Sequence, residues 1–373
     1  MNKLTIYLQV GTDKTGSSAL QNFLDVNRAN LFSKNSCLYP NLDSKKMHTG
    51  RHHNHTKWYQ DIKDDRDFLS DIDRMVMVCQ KNRISKVILS CEGWLVKQSV
   101  PQRFRLVQEK FPDVNVKMIA YLRRIDSWIE SAWKQRGIKN FASINEYIAQ
   151  PGIGERFGNL LSALELWESC IGKENITVRA YEKQQLPNGL AADFLSCVGI
   201  DYDSFEWEPN EKTNLALNYG FNRDVLEVLH LSRGLLSGKS DNHLFDLFSE
   251  LLGEEFQKKP FESLNLLPPA VRVEIIGKNK SYEEEIARKY MGREDGRIFF
   301  DPLPDPEEPW QPYEGLTLEK TVPIVVKLIE ENYGLIREKE LRNQIRHFRF
   351  VQPFVKIRDF FRSVYIKTDH RLR

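Results

Sequence analysis

The stretch Leu4-Thr5-Ile6-Tyr7-Leu8-Gln9-Val10-Gly11-Thr12-Asp13-Lys14-Thr15-Gly16-Ser17-Ser18 decides how the rest of the chain reads. Its first residues are an apolar run of strand type. Glycines and hydroxyl residues then surround a single lysine, and a helical pattern begins at Ser17. A buried strand that hands such a turn to a helix start makes a phosphate cradle. Glycines let backbone N–H groups face an anion, and the helix points its positive end at the same place. The order inside the turn selects the chemistry. A nucleotide-kinase loop reads Gly-x-x-x-x-Gly-Lys-Ser/Thr, with lysine after the second glycine. Here Lys14 stands two residues before Gly16, with Ser17 and Ser18 directly after it, an order that argues against an ATPase.

Outward from this turn, strands and helices alternate. Residues 17–31 carry Leu20, Phe23, Leu24 and Leu31 near helical spacing. Residues 40–60 are polar and irregular. Strands are expected at 84–90, ending in Cys91-Glu92-Gly93, at 116–122, ending in Arg123-Arg124, and at 176–181. Helices are expected at 126–137, 157–170 and 190–198, the last two closed by Gly172 and Gly199. This alternation predicts a three-layer α/β/α domain around a mostly parallel sheet. Helices are then expected at 220–236, 243–256 and 282–290, and the proline-rich stretch 301–309 reads as a linker. The expected division is a domain over 1–305, with its α/β core to about residue 210 and a helical part to 305. A linker and C-terminal extension follow over 306–373.

Composition narrows the classes. The chain has 373 residues, 41% of them hydrophobic, enough for a large α/β domain with an appendage. It contains no apolar run of membrane-spanning length and enters a strand within four residues, so a cytoplasmic protein is expected. Five cysteines without CxxC spacing suit reduced thiols. The net charge of +2 is unevenly spread. Residues 341–373 hold nine Lys/Arg against Asp359 and Asp369, a charge of +7 that leaves −5 for the rest.

Read together with Leu122-Arg123-Arg124-Ile125-Asp126-Ser127-Trp128-Ile129-Glu130-Ser131, the opening turn gives the chain its likeness. It resembles the sulfotransferases that use 3′-phosphoadenosine-5′-phosphosulfate (PAPS) and release 3′-phosphoadenosine-5′-phosphate (PAP), and most of all their bacterial carbohydrate-type branch. Lys14-Thr15-Gly16-Ser17-Ser18, running on to Gln21, fits that family's 5′-phosphosulfate loop. Arg123 with Ser131 fits its 3′-phosphate pair, an arginine at a strand end and a serine eight residues on. Further echoes are His52-His53-Asn54, Ser90-Cys91-Glu92, Val178-Arg179-Ala180-Tyr181-Glu182 and Ile286-Ala287-Arg288-Lys289-Tyr290, so the likeness runs to about residue 300. It implies a P-loop-like sulfotransferase fold, PAPS as cofactor, and transfer to a hydroxyl, on a carbohydrate or glycan.

The residue chemistry supports each role. Arg123 offers a rigid fork to a phosphate dianion, and Ser131 adds a hydroxyl from the next helix. The alternative is that Arg123 and Arg124 pair with acids such as Asp126. Lys14 would neutralise charge on the departing phosphate, while Thr15, Ser17 and Ser18 offer hydroxyl and backbone donors. Asp13 is a departure, a carboxylate inside a turn built for anions. An attacking hydroxyl needs a base. Glu92 at a strand end is one candidate, and its alternative role is to cap the turn or pair with an arginine. His53, in the group His48, His52, His53 and His55, is the other. No metal site is expected from these histidines. Arg179 either reaches the ligand or pairs with Glu182.

The basic tail mixes arginines with Phe348, Phe350, Phe354, Phe360 and Phe361. It reads either as a segment that lies on an anionic membrane surface or as a terminal helix packed on the domain. Nucleic acid is not an expected partner, because the body is acidic. The alternatives to a sulfotransferase are a P-loop kinase and a non-catalytic nucleotide-binding or membrane-surface protein.

Overall fold

A computed structural model describes residues 3–42, 54–204, 206–207, 220–232, 248, 251–252, 256–258 and 265–331. The elements in chain order begin with β1 (Leu4–Gln9), α1 (Ser17–Val26), α2 (Arg28–Asn35), β2 (Cys37–Leu38), α3 (Thr56–Asp61), α4 (Asp65–Lys81) and β3 (Lys86–Ser90). They continue with α5 (Ser99–Lys110), β4 (Val114–Leu122), α6 (Ile125–Ala132), α7 (Ile138–Asn140), α8 (Ile144–Ile148), α9 (Arg156–Ile171), β5 (Ile176–Ala180) and α10 (Gly189–Cys197). After these come β6 (Gly220–Phe221), α11 (Arg223–Leu231), β7 (Gln257–Lys258) and the long α12 (Pro269–Met291).

Strands β2-β3-β1-β4-β5 form one sheet in that order, and every pairing is parallel. The expected α/β class is therefore present. The strands read as continuous apolar runs because both sheet faces are covered. On one face Ile6, Leu8, Val87, Leu89, Met118 and Ala120 join side chains of α4, α5, α6, α9 and α12 in one core. On the other, Tyr7, Ile88, Ile119 and Tyr121 meet Leu20, Phe23 and Leu24 of α1 and Phe194 and Leu195 of α10. The residues that alternate along each strand thus fill two separate cores.

Topology places the site. From β1 the chain moves toward β2 and β3, whereas from β4 it moves to β5 on the other side. The connections leaving the adjacent strands β1 and β4 therefore diverge, and open α/β sheets bind ligands in that crevice beyond the strand ends. Gln9 is level with both Ser90 and Ile119, so the loops after β1, β3 and β4 emerge at one edge.

The structure corrects several local expectations. The single helix expected over 17–31 is two helices, because Asn27 ends α1: its side-chain amide and its backbone N–H both donate to the Phe23 carbonyl. The helix expected over 126–137 closes in a π-turn at Trp133–Gly137. Gly220 and Phe221 belong to a short strand rather than a helix, and α11 starts after Asn222, whose side chain caps the Val225 N–H. Residues 282–290 are the end of α12, which packs directly on the sheet core. The helix expected over 243–256 falls mostly outside the described residues. After 301–309, which hold no helix or strand, the Tyr313 hydroxyl donates to Asp224 (2.6 Å) and Ile324 is buried in the main core.

All five cysteines are free thiols. Burial pushes Cys37, Cys79 and Cys91 up to about 12, so they are inert packing residues. Among the described residues no helix is long and apolar enough to cross a membrane.

Candidate phosphate-binding site

The loop after β1 is shaped by its own backbone. Lys14 (φ 68°) and Gly16 (φ 75°) both adopt left-handed conformations, with Thr15 between them. Successive turns of this kind direct N–H groups into one concavity. Gly16 is also the N-cap of α1, and no side chain caps that helix. Its first-turn amides, which lack intrahelical acceptors, therefore point at the loop. A Cβ at Gly16 would lie 2.8 Å from Leu190 and 3.0 Å from the Tyr181 ring, so glycine is required by space as well as by φ.

The hydroxyls of the loop divide into two groups. Thr12 donates to the Tyr121 carbonyl (2.9 Å) and Thr15 to the Thr12 carbonyl (2.6 Å), so both hold the loop's shape. The Thr15 hydroxyl, expected to face the ligand, is thus spent inside the turn. The Ser17 hydroxyl donates to the Glu92 carboxylate, and Ser18 is half-buried. Glu92 is exposed at the end of β3 and joined to the loop by that bond.

Behind the loop lies a fully buried polar chain. Gln21 donates to Ser90 (2.9 Å), whose hydroxyl donates to Gln9 (2.6 Å), tying α1, β3 and β1 together. His55 completes it. Its Nδ1 accepts the Ser90 N–H (2.9 Å) and its Nε2 faces the Pro40 carbonyl (3.0 Å), a network that assigns the proton to Nε2. Burial holds the imidazole down at about 4, so His55 is a neutral structural residue and not a candidate base. His48, His52 and His53 lie outside the described residues.

A pH dependence follows from His55. Below about pH 6.5 the unfolded chain takes up a proton that the folded imidazole refuses until about pH 4. Its contribution, on the order of 3 kcal/mol, is complete above the unfolded value and is lost as pH falls toward 4. In urea unfolding at pH 7 and pH 4.5, His55→Gln should lose less stability on acidification than the wild type. Parallel losses would contradict this role.

The two arginines after β4 have different fates. Arg124 forks onto Asp126 (2.8 and 3.1 Å) and also donates to the Asp301 and Pro302 carbonyls (3.1 and 3.0 Å). Arg272 of α12 bonds the same carboxylate at 2.7 and 3.0 Å. Burial pushes the Asp126 carboxyl up, but its two arginines outweigh burial and hold it below the ordinary carboxylate range. The acid-pairing role considered for both arginines thus applies to Arg124. Arg123 instead donates to the Lys14 carbonyl across the crevice (3.1 Å), with its guanidinium 5.8 Å from the Tyr181 ring centroid. Burial lowers its pKa, opposed through space by Tyr181, Asp126 and Glu130. A desolvated guanidinium beside a carbonyl and an aromatic face suits an anionic ligand. Ser131 is half-buried in the second turn of α6.

Two residues missed from sequence explain Asp13. Arg156 of α9 donates to its carboxylate (2.8 Å), as does the Trp128 indole N–H (3.2 Å), and the Arg156 guanidinium lies 3.8 Å over the Trp128 ring. Asp13 therefore anchors the loop to α6 and α9, with its charge compensated. The useful signal was the unexplained acid, which demanded a cation from elsewhere in the chain. Arg179 pairs with Asp193 rather than Glu182, and Asp193 also accepts from the Tyr121 hydroxyl (2.6 Å). Glu182 accepts instead from the Phe300 and Asp301 N–H groups. Among the described residues no group of three or more His, Cys, Asp or Glu is placed to hold a metal ion.

No protein-family model matches the chain. An uncharacterized protein of Archaeoglobus fulgidus is 25% identical over 254 residues, covering 66% of this chain and 64% of that relative, so the chain spans less than two thirds of the relative's length. Three solved structures align at TM-scores of 0.32–0.34. A sulfotransferase from Alicyclobacillus acidocaldarius is 18% identical, over 56% of this chain and 87% of that one. The sulfotransferase domain of the curacin biosynthetic pathway is 12% identical, over 56% and 76%. That of the Synechococcus PCC 7002 olefin synthase is 11% identical, over 74% and 94%.

Proposed function

We propose that this protein is a PAPS-dependent sulfotransferase acting on a hydroxyl of a carbohydrate or glycan acceptor. One observation carries the reading: Arg123, whose neighbour Arg124 is consumed by Asp126, reaches across the crevice to the backbone of Lys14. Two motifs 109 residues apart thus meet beside the sheet's switch point, which supports their holding the two ends of one anionic ligand.

The residues present fit such a cofactor. The uncapped start of α1 and the left-handed Lys14 and Gly16 offer backbone donors for a 5′-phosphosulfate. Arg123 and Ser131 would hold a 3′-phosphate, and the Tyr181 ring lies beside Arg123 and Gly16. When bound, PAPS supplies a sulfuryl group on an activated phosphate leaving group. Lys14 would neutralise charge on the departing oxygen, and the α1 dipole would act in the same sense. Glu92, fixed by Ser17, takes the acceptor proton at a carboxylate oxygen, with His53 as the other candidate. Asp13, held by Arg156, keeps the loop closed against α6 and α9 without adding net charge to the cradle.

The reading is tested by measuring PAP formation from PAPS across a panel of simple glycosides. Acceptor-dependent PAP release in the wild type, reduced at least 100-fold in Lys14→Ala, is the expected result. Release from Lys14→Ala at the wild-type rate, or activity confined to Mg-ATP, would overturn it.

A further inference from the structure

Ser17 is the first residue of α1 and is only 2% exposed, so its side chain is held by what surrounds it. A serine hydroxyl carries one proton. Here that proton goes to the Glu92 carboxylate just after β3. The Thr15 hydroxyl is spent in a similar way on the Thr12 carbonyl, so two of the three hydroxyls that follow Lys14 serve the protein's own structure. On the other side of this bond the Glu92 backbone is already fixed. The Cys91 N–H donates to the Gln9 carbonyl (3.1 Å) and the Gly93 N–H to the Gly11 carbonyl (3.4 Å). The Glu92 side chain has no such support of its own. It is exposed, and among the described residues the Ser17 hydroxyl is the one hydrogen-bond donor to its carboxylate.

An exposed glutamate has three staggered wells at χ1 and three at χ2, roughly nine combinations, and a buried donor that selects one raises its population by up to about tenfold. A base acts only within hydrogen-bond reach of the proton it takes, so this selection bears on turnover rather than on affinity. We infer that Ser17 is a positioning residue that acts through Glu92, aiming the proposed base, and that its hydroxyl is not a ligand of the phosphosulfate. This rests on the sulfotransferase reading and on Glu92 as the base within it, and it reassigns one hydroxyl of the loop motif. The two parts of Ser17 then serve different groups. Its backbone N–H, without an intrahelical acceptor, points at the loop, while its side chain sets the carboxylate from the neighbouring strand.

The test compares the wild type, Ser17→Ala, Glu92→Gln and the double variant. PAP affinity is measured by titration calorimetry, and single-turnover PAP formation is measured from PAPS with a simple glycoside. Ser17→Ala should bind PAP within about threefold of the wild type and form it about tenfold more slowly, a split between affinity and rate that a loosened loop would not give. Ser17→Thr, which keeps a hydroxyl, should recover most of the rate. Should threonine lower the unfolding temperature at this buried position, the double-variant cycle decides alone. Because Ser17 acts through the base, Ser17→Ala/Glu92→Gln should be no slower than Glu92→Gln. A loss of PAP affinity of about tenfold in Ser17→Ala, or a second loss of rate of that size in the double variant, would overturn the inference and give the hydroxyl to the cofactor. Wild-type turnover in Ser17→Ala or in Glu92→Gln would overturn it as well. Each of these results leaves the sulfotransferase reading standing, whereas a wild type that neither binds PAP nor forms it from PAPS would overturn both.

Discussion

Glu92→Gln should bind PAP at least as tightly as the wild type and lower acceptor-dependent turnover by about 10²–10⁴-fold, the usual worth of a positioned base. The carboxylate is exposed just after β3, hydrogen-bonded to Ser17 of the loop. Removing its charge relieves repulsion toward an anionic ligand while an amide oxygen still accepts the Ser17 hydroxyl. Proton acceptance is lost and positioning is kept. Titration with PAP and single-turnover PAP release measure the two effects separately. If Glu92→Gln keeps its turnover while His53→Ala loses it, the base is His53.

Asp126→Ala should be among the most destabilising single changes in the protein, about 3–5 kcal/mol. The carboxylate is fully buried and is shared by Arg124 and Arg272, which join the end of β4 to α12, and Arg124 continues to the carbonyls of Asp301 and Pro302. Its removal leaves two desolvated guanidinium groups without their counter-charge. One neighbour can partly replace it. The Glu283 carboxyl is pushed up to about 8 by burial, with Asp126 adding repulsion and Arg124 opposing it. Loss of Asp126 lets Glu283 ionise and supply some of the missing charge. The double variant Asp126→Ala/Glu283→Gln should therefore be less stable than Asp126→Ala, although Glu283→Gln alone removes a group that is largely neutral at pH 7. Urea unfolding of the three variants measures this, and equal stability of the single and double Asp126 variants would contradict the compensation.

Much of the architecture was legible in the chain because strand burial on both faces writes continuous apolar runs, as in residues 4–8, 86–90 and 116–122. The glycine-bearing turn after the first of them is where the left-handed residues Lys14 and Gly16 lead into α1. Less legible was anything settled by long-range pairing. Arg123 and Arg124 are identical in type and adjacent, and only the placement of Asp126 and α12 sends one to that carboxylate and leaves the other on the Lys14 carbonyl. Asp13 looked misplaced because its partner, Arg156, lies 143 residues away. His55 resembled its histidine neighbours in sequence, yet burial against Ser90 and Pro40 makes it a neutral scaffold residue. The helix α4 carried readable signals that went unused: Phe68, Ile72, Met75, Val76 and Cys79 at helical spacing, after Asp64 as N-cap.

The central claim is that Lys14 and Arg123 form two halves of one site for a 3′-phosphorylated nucleotide. Isothermal titration with PAP and with ADP, in the wild type and in Arg123→Ala, tests it most directly. The account predicts that the wild type binds PAP at least tenfold more tightly than ADP, with or without Mg²⁺, and that Arg123→Ala removes the preference by weakening PAP alone. Equal affinity for the two nucleotides, or a preference for Mg-ATP that survives Arg123→Ala, would contradict it.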